Sequence, residues 1–188
     1  MTQPFDSSPQ PVQPPAQDPT GEMYRVQAAL ADLVRRMKSG ANNFYWIAAL
    51  SVINSAMLQF GGGMYFVVGL AGTLFVDSIF VGMAEVMPES ALIVKVIGLV
   101  VSAIVAGIFA LFGVFANRAM KWAFIVGMIF YAIDTLLMLA FQEWMGLVFH
   151  VFFLFGLFGG LSALNKLEKL APKKPSSPTD FPTNIGTP

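Results

Sequence analysis

The chain contains no cysteine, which excludes disulfides, thiolate metal sites and cysteine redox chemistry. It has one histidine in 188 residues, so no transition-metal centre is expected, because such centres usually draw on several imidazoles or thiolates. Charge is scarce as well: 12% of residues are charged, against about a quarter in a soluble domain. There is no phosphate-cradling glycine loop with a lysine. The nearest approach to a nucleophile elbow, Gly160-Leu161-Ser162-Ala163, lacks its final glycine. The first twenty residues hold six prolines and no apolar run, so no cleavable signal peptide is visible. These absences argue against an enzyme and imply no cofactor and no metal.

What the chain does have is apolar length. Hydrophobic residues make up 56% of it and the mean hydropathy is +0.67. Runs near 44–60, 91–116, 122–141 and 147–164 match the roughly 17–25 residues needed to cross about 30 Å of hydrocarbon. The fold class expected is all-α, a polytopic integral membrane domain over 44–165. A further segment, 64–87, is apolar but interrupted by Gly69, Gly72 and the pair Asp77 and Ser78, and is stopped by Pro88. Its unbroken part, 64–76, is about 20 Å long as a helix, too short to span. Broken backbone at membrane depth is tolerated where it lines protein or water.

The positions of the basic residues choose between topologies. Ten of the eleven Lys and Arg fall in three clusters. Arg25, Arg35, Arg36 and Lys38 precede the first run, Arg118 and Lys121 separate two middle runs, and Lys166, Lys169, Lys173 and Lys174 follow the last. If 64–87 crosses, there are five spans, and two clusters lie across the membrane from the first, against the positive-inside rule. If 64–87 dips in and returns, or lies on the surface, there are four spans and all clusters are cytoplasmic. The reading preferred is four transmembrane helices plus a re-entrant or interfacial hairpin, with both termini cytoplasmic in a bacterial inner membrane. Five transmembrane helices is the alternative.

Ahead of the first run, 21–40 reads as an amphipathic helix. Met23, Val26, Leu30, Leu33, Val34 and Met37 recur at helical spacing opposite Arg25, Gln27, Asp32, Arg35 and Arg36. Basic side chains on such a helix face anionic lipid, so Arg25, Arg35, Arg36 and Lys38 are candidate membrane-surface residues. A docking helix or short coiled coil is the other use of the pattern. Ser39, Gly40, Ala41, Asn42 and Asn43 are expected to break this helix from the first span. The tails, 1–20 and 171–188, are rich in Pro with Gln, Ser or Thr and are expected to be disordered.

The stretch Phe44-Tyr45-Trp46-Ile47-Ala48, continuing through Leu50-Ser51-Val52-Ile53-Asn54-Ser55 to the triplet Gly61-Gly62-Gly63, resembles a segment of a family of small uncharacterised bacterial multi-pass membrane proteins. The likeness covers about residues 42–80. It implies a bacterial setting and carries no activity with it.

Ionisable groups at membrane depth cost about 2.5–3.5 kcal/mol each on insertion scales and are functional candidates by default. Asp77, Lys95, Asp134 and His150 qualify, and Asn54 can approach them from the first helix. Asp134 lies about 18 Å into its helix, too deep for so short a side chain to reach water. One reading is a proton or cation relay, with Asp134 titrating, His150 as its partner and Lys95 as countercharge. Another is a self-neutralising pair, Asp134 with Lys95 or His150, that fixes helix register. Small residues at Ser102, Ala106 and Ala110, and at Gly156 and Gly160, favour close helix approach, within the chain or between copies. The function expected is therefore a structural or accessory membrane subunit binding partners through helix faces and cytoplasmic segments. The alternative is an oligomeric transport component for protons or a small solute using Asp134. The partners implied are the lipid bilayer and a homo-oligomer or larger membrane complex. A net charge of zero gives no case for nucleic acid.

Overall fold

The computed structural model describes residues 19–61 and 69–170. Among these it forms five helices: α1 Pro19–Phe60, α2 Ala71–Val86, α3 Ala91–Asn117, α4 Lys121–Ala140 and α5 Trp144–Leu170, with a 3-10 turn at Pro88–Ser90 leading into α3. No strand occurs among the described residues, so the all-α class holds. The tails expected to be disordered lie outside the described residues, except for Pro19 and Thr20, which open α1.

Among the described residues three helices are long and apolar enough to cross a membrane: Pro88–Asn117, Lys121–Ala140 and Trp144–Leu170. Two tight reversals join them. α3 ends with Ala119 in the left-handed region (φ 59°) and Met120 N–H bonded to Phe115 O at 3.1 Å. α4 ends the same way, with Gln142 at φ 57° and Glu143 N–H bonded to Met138 O at 3.0 Å. Both are Schellman caps, which serve carbonyls at a helix end and turn the chain back sharply. Connections this short make consecutive helices antiparallel neighbours.

The break expected at 39–43 is absent: α1 runs through it as one helix of 42 residues. Gly40 has a different use. A Cβ there would collide with Gly160 Cα and come within 2.9 Å of Gly156 O. The glycine lets α1 and α5 touch backbone to backbone rather than interrupting α1. Asn43 against Gly156, Phe44 against Gly113 and Gln59 against Gly98 continue the alignment, so α1 runs antiparallel to α3 and α5. One end of the bundle therefore gathers the level of Gly40, the end of α3, the start of α4 and the end of α5. The end of α1, the Pro88–Ser90 turn and the α4–α5 reversal form the other.

The two halves of the interior differ in chemistry. Towards the first end the core is aromatic: Phe44 lies 6.0 Å from Phe112 and 6.2 Å from Phe124, and Tyr131 packs edge-on to Phe109. Gly127 makes room, since a Cβ there would sit 2.5 Å from the Phe44 ring. Towards the second end the interior is polar, with Ser51, Asn54, Ser55, Gln59, Thr73, Asp77, Ser102, Asp134 and His150 all buried. The outside is the reverse: Ile97, Val100, Ile104 and Leu111 on α3, Ile129 and Ile133 on α4, and Phe152, Phe155 and Phe158 on α5 are exposed. Polar inside and apolar outside inverts the usual soluble arrangement and suits helices whose solvent is hydrocarbon.

The first turns of α1 reach past the bundle. Arg25, Arg35, Arg36 and Lys38 are exposed there, and so are Met23, Val26, Leu30 and Val34 from the apolar stripe, while Met37 is buried. Asp32 bonds Arg35 at 2.6 Å and Arg36 at 2.7 Å. Those two hydrogen bonds hold its carboxyl below the ordinary aspartate range.

Candidate functional site

The polar half is organised around the start of α2. A helix N-terminus leaves its first backbone N–H groups without intrahelical partners, and Leu70, the residue preceding α2, supplies no side-chain cap. The partners come from other helices. Ser51 Oγ on α1 accepts from Leu70 N–H at 2.9 Å. The Asp134 carboxylate on α4 accepts from Ala71 N–H at 2.9 Å and Gly72 N–H at 2.8 Å, one on each oxygen. Thr73 Oγ1 donates to Leu70 O at 2.8 Å. Asp134 thus acts as a cap supplied from another helix, where the positive end of the helix dipole favours an anion.

His150 completes the site from α5. It is fully buried, with Nε2 2.9 Å from Asp134 Oδ2 and Nδ1 2.8 Å from Gly146 O. A carbonyl oxygen can only accept, so Nδ1 carries hydrogen and donates to Gly146. Nε2 and Oδ2 would then oppose two lone pairs unless a proton lies between them. The pair therefore holds that proton, as imidazolium with carboxylate or as imidazole with carboxylic acid. Tyr131, one turn before Asp134, stacks on the imidazole with ring centroids 4.7 Å apart and planes 11° from parallel, and its buried hydroxyl has no partner among the described residues.

A cleft of about 490 Å³ opens beside this site, lined by Leu58, Ala71, Leu74, Phe75, Met138 and Glu143 among others. Ala71 bonds Asp134 directly, and Met138 lies one turn beyond Asp134 on α4, so the cleft neighbours the site without being lined by the carboxylate itself. Asp134 keeps 10% of its side chain exposed, while His150 keeps none.

Asp77 belongs to a second cluster. Its Oδ1 accepts from Ser102 Oγ on α3 at 2.8 Å and from Gln59 Nε2 on α1 at 3.1 Å. Asn54 is buried against Gly69, where an added Cβ would lie 2.5 Å from its Nδ2. Lys95 does not serve as countercharge to Asp134. It is half-buried near the start of α3 and makes no ion pair among the described residues. The five candidates therefore divide into a pair (Asp134, His150), a separate carboxylate (Asp77), an amide at the entry to α2 (Asn54) and an uninvolved lysine. Sequence reasoning missed Ser51 and Tyr131. The signal for Ser51 was present in Ser51, Ser55 and Gln59, which recur every fourth residue on α1.

No protein-family model, no curated protein and no solved structure matches this chain.

Proposed function

We propose that the protein is a bacterial inner-membrane component with four crossings and one re-entrant element, and that Asp134 and His150 form the proton-holding site of an oligomeric transport unit. The observation that carries this reading is the 2.9 Å contact between His150 Nε2 and Asp134 Oδ2, because the same carboxylate grips the N-terminus of a half-helix. Loss of that proton would set two lone pairs against each other and weaken the seat of α2. Proton occupancy and the position of a broken helix are thereby coupled. Broken helices and buried ionisable groups near mid-depth are how many membrane transporters build their sites.

The crossing number is supported by the way α2 lies. It starts beside Ser51 and Asp134, inside the bundle, and ends at the Pro88–Ser90 turn, at the bundle end where α1 also ends. A segment that enters and leaves at one end is re-entrant. The 44–60 part of α1 then serves as the fourth crossing, with Trp46, Ile53 and Phe60 exposed to lipid. Arg118, Lys121, Lys166 and Lys169 belong to the opposite bundle end, which the positive-inside rule makes cytoplasmic.

The test is a proton flux measurement in sealed vesicles carrying the purified protein and an internal pH dye. Flux down an imposed pH gradient, lost in Asp134→Asn while assembly is retained, is the expected result. A correctly assembled wild type without flux at any pH rejects the reading.

An accessory role is favoured by one separate observation, the exposed Met23, Tyr24 and Val26 on the part of α1 beyond the bundle. Gly156 and Gly160 are already filled by α1, so partner binding would rest on this projecting helix. A chain beginning at Ser39 that associates with membranes and partners unchanged would remove that role.

A further inference from the structure

The second polar cluster holds a carboxylate and two neighbouring side chains, each with an unserved oxygen. Asp77, Gln59 and Ser55 are each fully buried, and Asp77 Oδ2, Gln59 Oε1 and Ser55 Oγ have no hydrogen-bond partner among the described residues. Gln59 and Asp77 are in contact through Nε2 and Oδ1, and Ser55 lies one turn from Gln59 on the same face of α1. A buried carboxylate without compensation is costly. Among the described residues the compensation comes from the Ser102 and Gln59 hydrogen bonds on Oδ1.

We infer that Asp77, Gln59 and Ser55 form a binding site for a small monovalent alkali cation, for which sodium is the probe. Three uncharged or anionic oxygens on two helices, with no nitrogen or sulfur ligand required, are the donor set a hard cation takes. One carboxylate is neutralised by one positive charge, whereas a divalent ion would leave an excess charge buried. No group of three His, Cys, Asp or Glu side chains able to hold a metal occurs among the described residues. Lys95 lies on α3 two turns from Ser102 and makes no ion pair among the described residues, so it does not supply the charge. A proton on Oδ2 is the other way to neutralise this carboxylate, and the sodium and pH arms of the test below separate the two. The ion would hold α2 at its middle, as Asp134 holds it at its start. The site uses none of the groups that hold the proton at His150.

The test is the thermal unfolding midpoint of the purified full chain in detergent, with NaCl titrated against choline chloride at constant ionic strength. A ligand bound only by the folded state raises the midpoint by about 5 °C or more at a hundred times its Kd for a chain of this size. The expected result is a saturable rise with sodium in the wild type that is abolished in Asp77→Asn. In Ser55→Ala the half-saturating sodium concentration should increase by about tenfold, the loss of one charge-assisted contact. A wild-type midpoint that responds to pH but not to sodium means Asp77 is served by a proton and overturns the inference. A sodium response undiminished in a folded Asp77→Asn also overturns it, because the ion then binds elsewhere. Should Asp77→Asn fail to fold, an unchanged half-saturating concentration in both Ser55→Ala and Gln59→Leu has the same meaning.

Discussion

Gly40 on α1 lies directly against Gly160 on α5, backbone to backbone, with the Phe124 ring closing over the contact. Close approach of this kind supplies much of the packing energy between helices in lipid, where no hydrophobic driving force acts between them. Gly40→Ala should therefore destabilise the protein by about 1–3 kcal/mol, the usual cost of overpacking. Gly159→Ala, one residue from the contact and with nothing within 4 Å of its added Cβ, should be close to neutral. Unfolding by a denaturing detergent, followed by circular dichroism, compares the two.

Asp134→Ala should cost about 3–5 kcal/mol, since it leaves His150 without its partner in a buried site and frees two N–H groups of α2. His150→Ala should also destabilise. The pair of changes should be less costly than their sum by about 1 kcal/mol or more, as for residues in one hydrogen-bonded network. The same unfolding assay in a double-mutant cycle measures this coupling, and strict additivity would show that the two side chains act independently.

Cysteine labelling of intact cells should reach Gly61, Glu89 and Glu143 from outside and should not reach Asn117. The chain's own lack of cysteine leaves no background. If Asn117 labels and Glu143 does not, the orientation is opposite to that drawn from the basic residues.

Asp32 should titrate below the ordinary aspartate range because of its Arg35 and Arg36 hydrogen bonds. The sign follows directly: a lowered folded-state value means that the ion pairs support α1 at neutral pH and that this support is lost as the pH falls through the lowered value. The group is exposed, so salt should weaken the effect. Carbon-13 NMR of the Asp32 carboxyl should show its titration moving up towards the ordinary value in Arg36→Gln and again in molar salt.

Much of this arrangement was legible in the sequence for a physical reason. Long apolar runs are local features, so the all-α class and the apolar helices α3, α4 and α5 could be read from them, whereas the reversals at Ala119 and Gln142 carry no glycine to announce them. What depended on distant partners was not legible. Gly40 reads as a breaker until Gly160 is brought against it. The start of α2 carries no local capping residue because Asp134 and Ser51 provide the cap from other helices. Lys95 looked like a countercharge because it shares a bundle end with Asp134, but periodicity does not fix which face of α3 turns inward. Tyr131 reads from sequence as one more aromatic, and its place against the imidazole depends on how α4 and α5 meet.

The most direct measurement is nitrogen-15 NMR of the imidazole in lipid discs, made simple by the single histidine of the chain. With the proton held between His150 and Asp134, Nδ1 should be protonated and bonded to Gly146 O. Nε2 should show either imidazolium or a strong accepted hydrogen bond, and both signatures should change in Asp134→Asn. A neutral ring with bare Nδ1, or one that titrates as a free imidazole near pH 6.5 alike in wild type and Asp134→Asn, would contradict a shared proton and with it the proton-holding site.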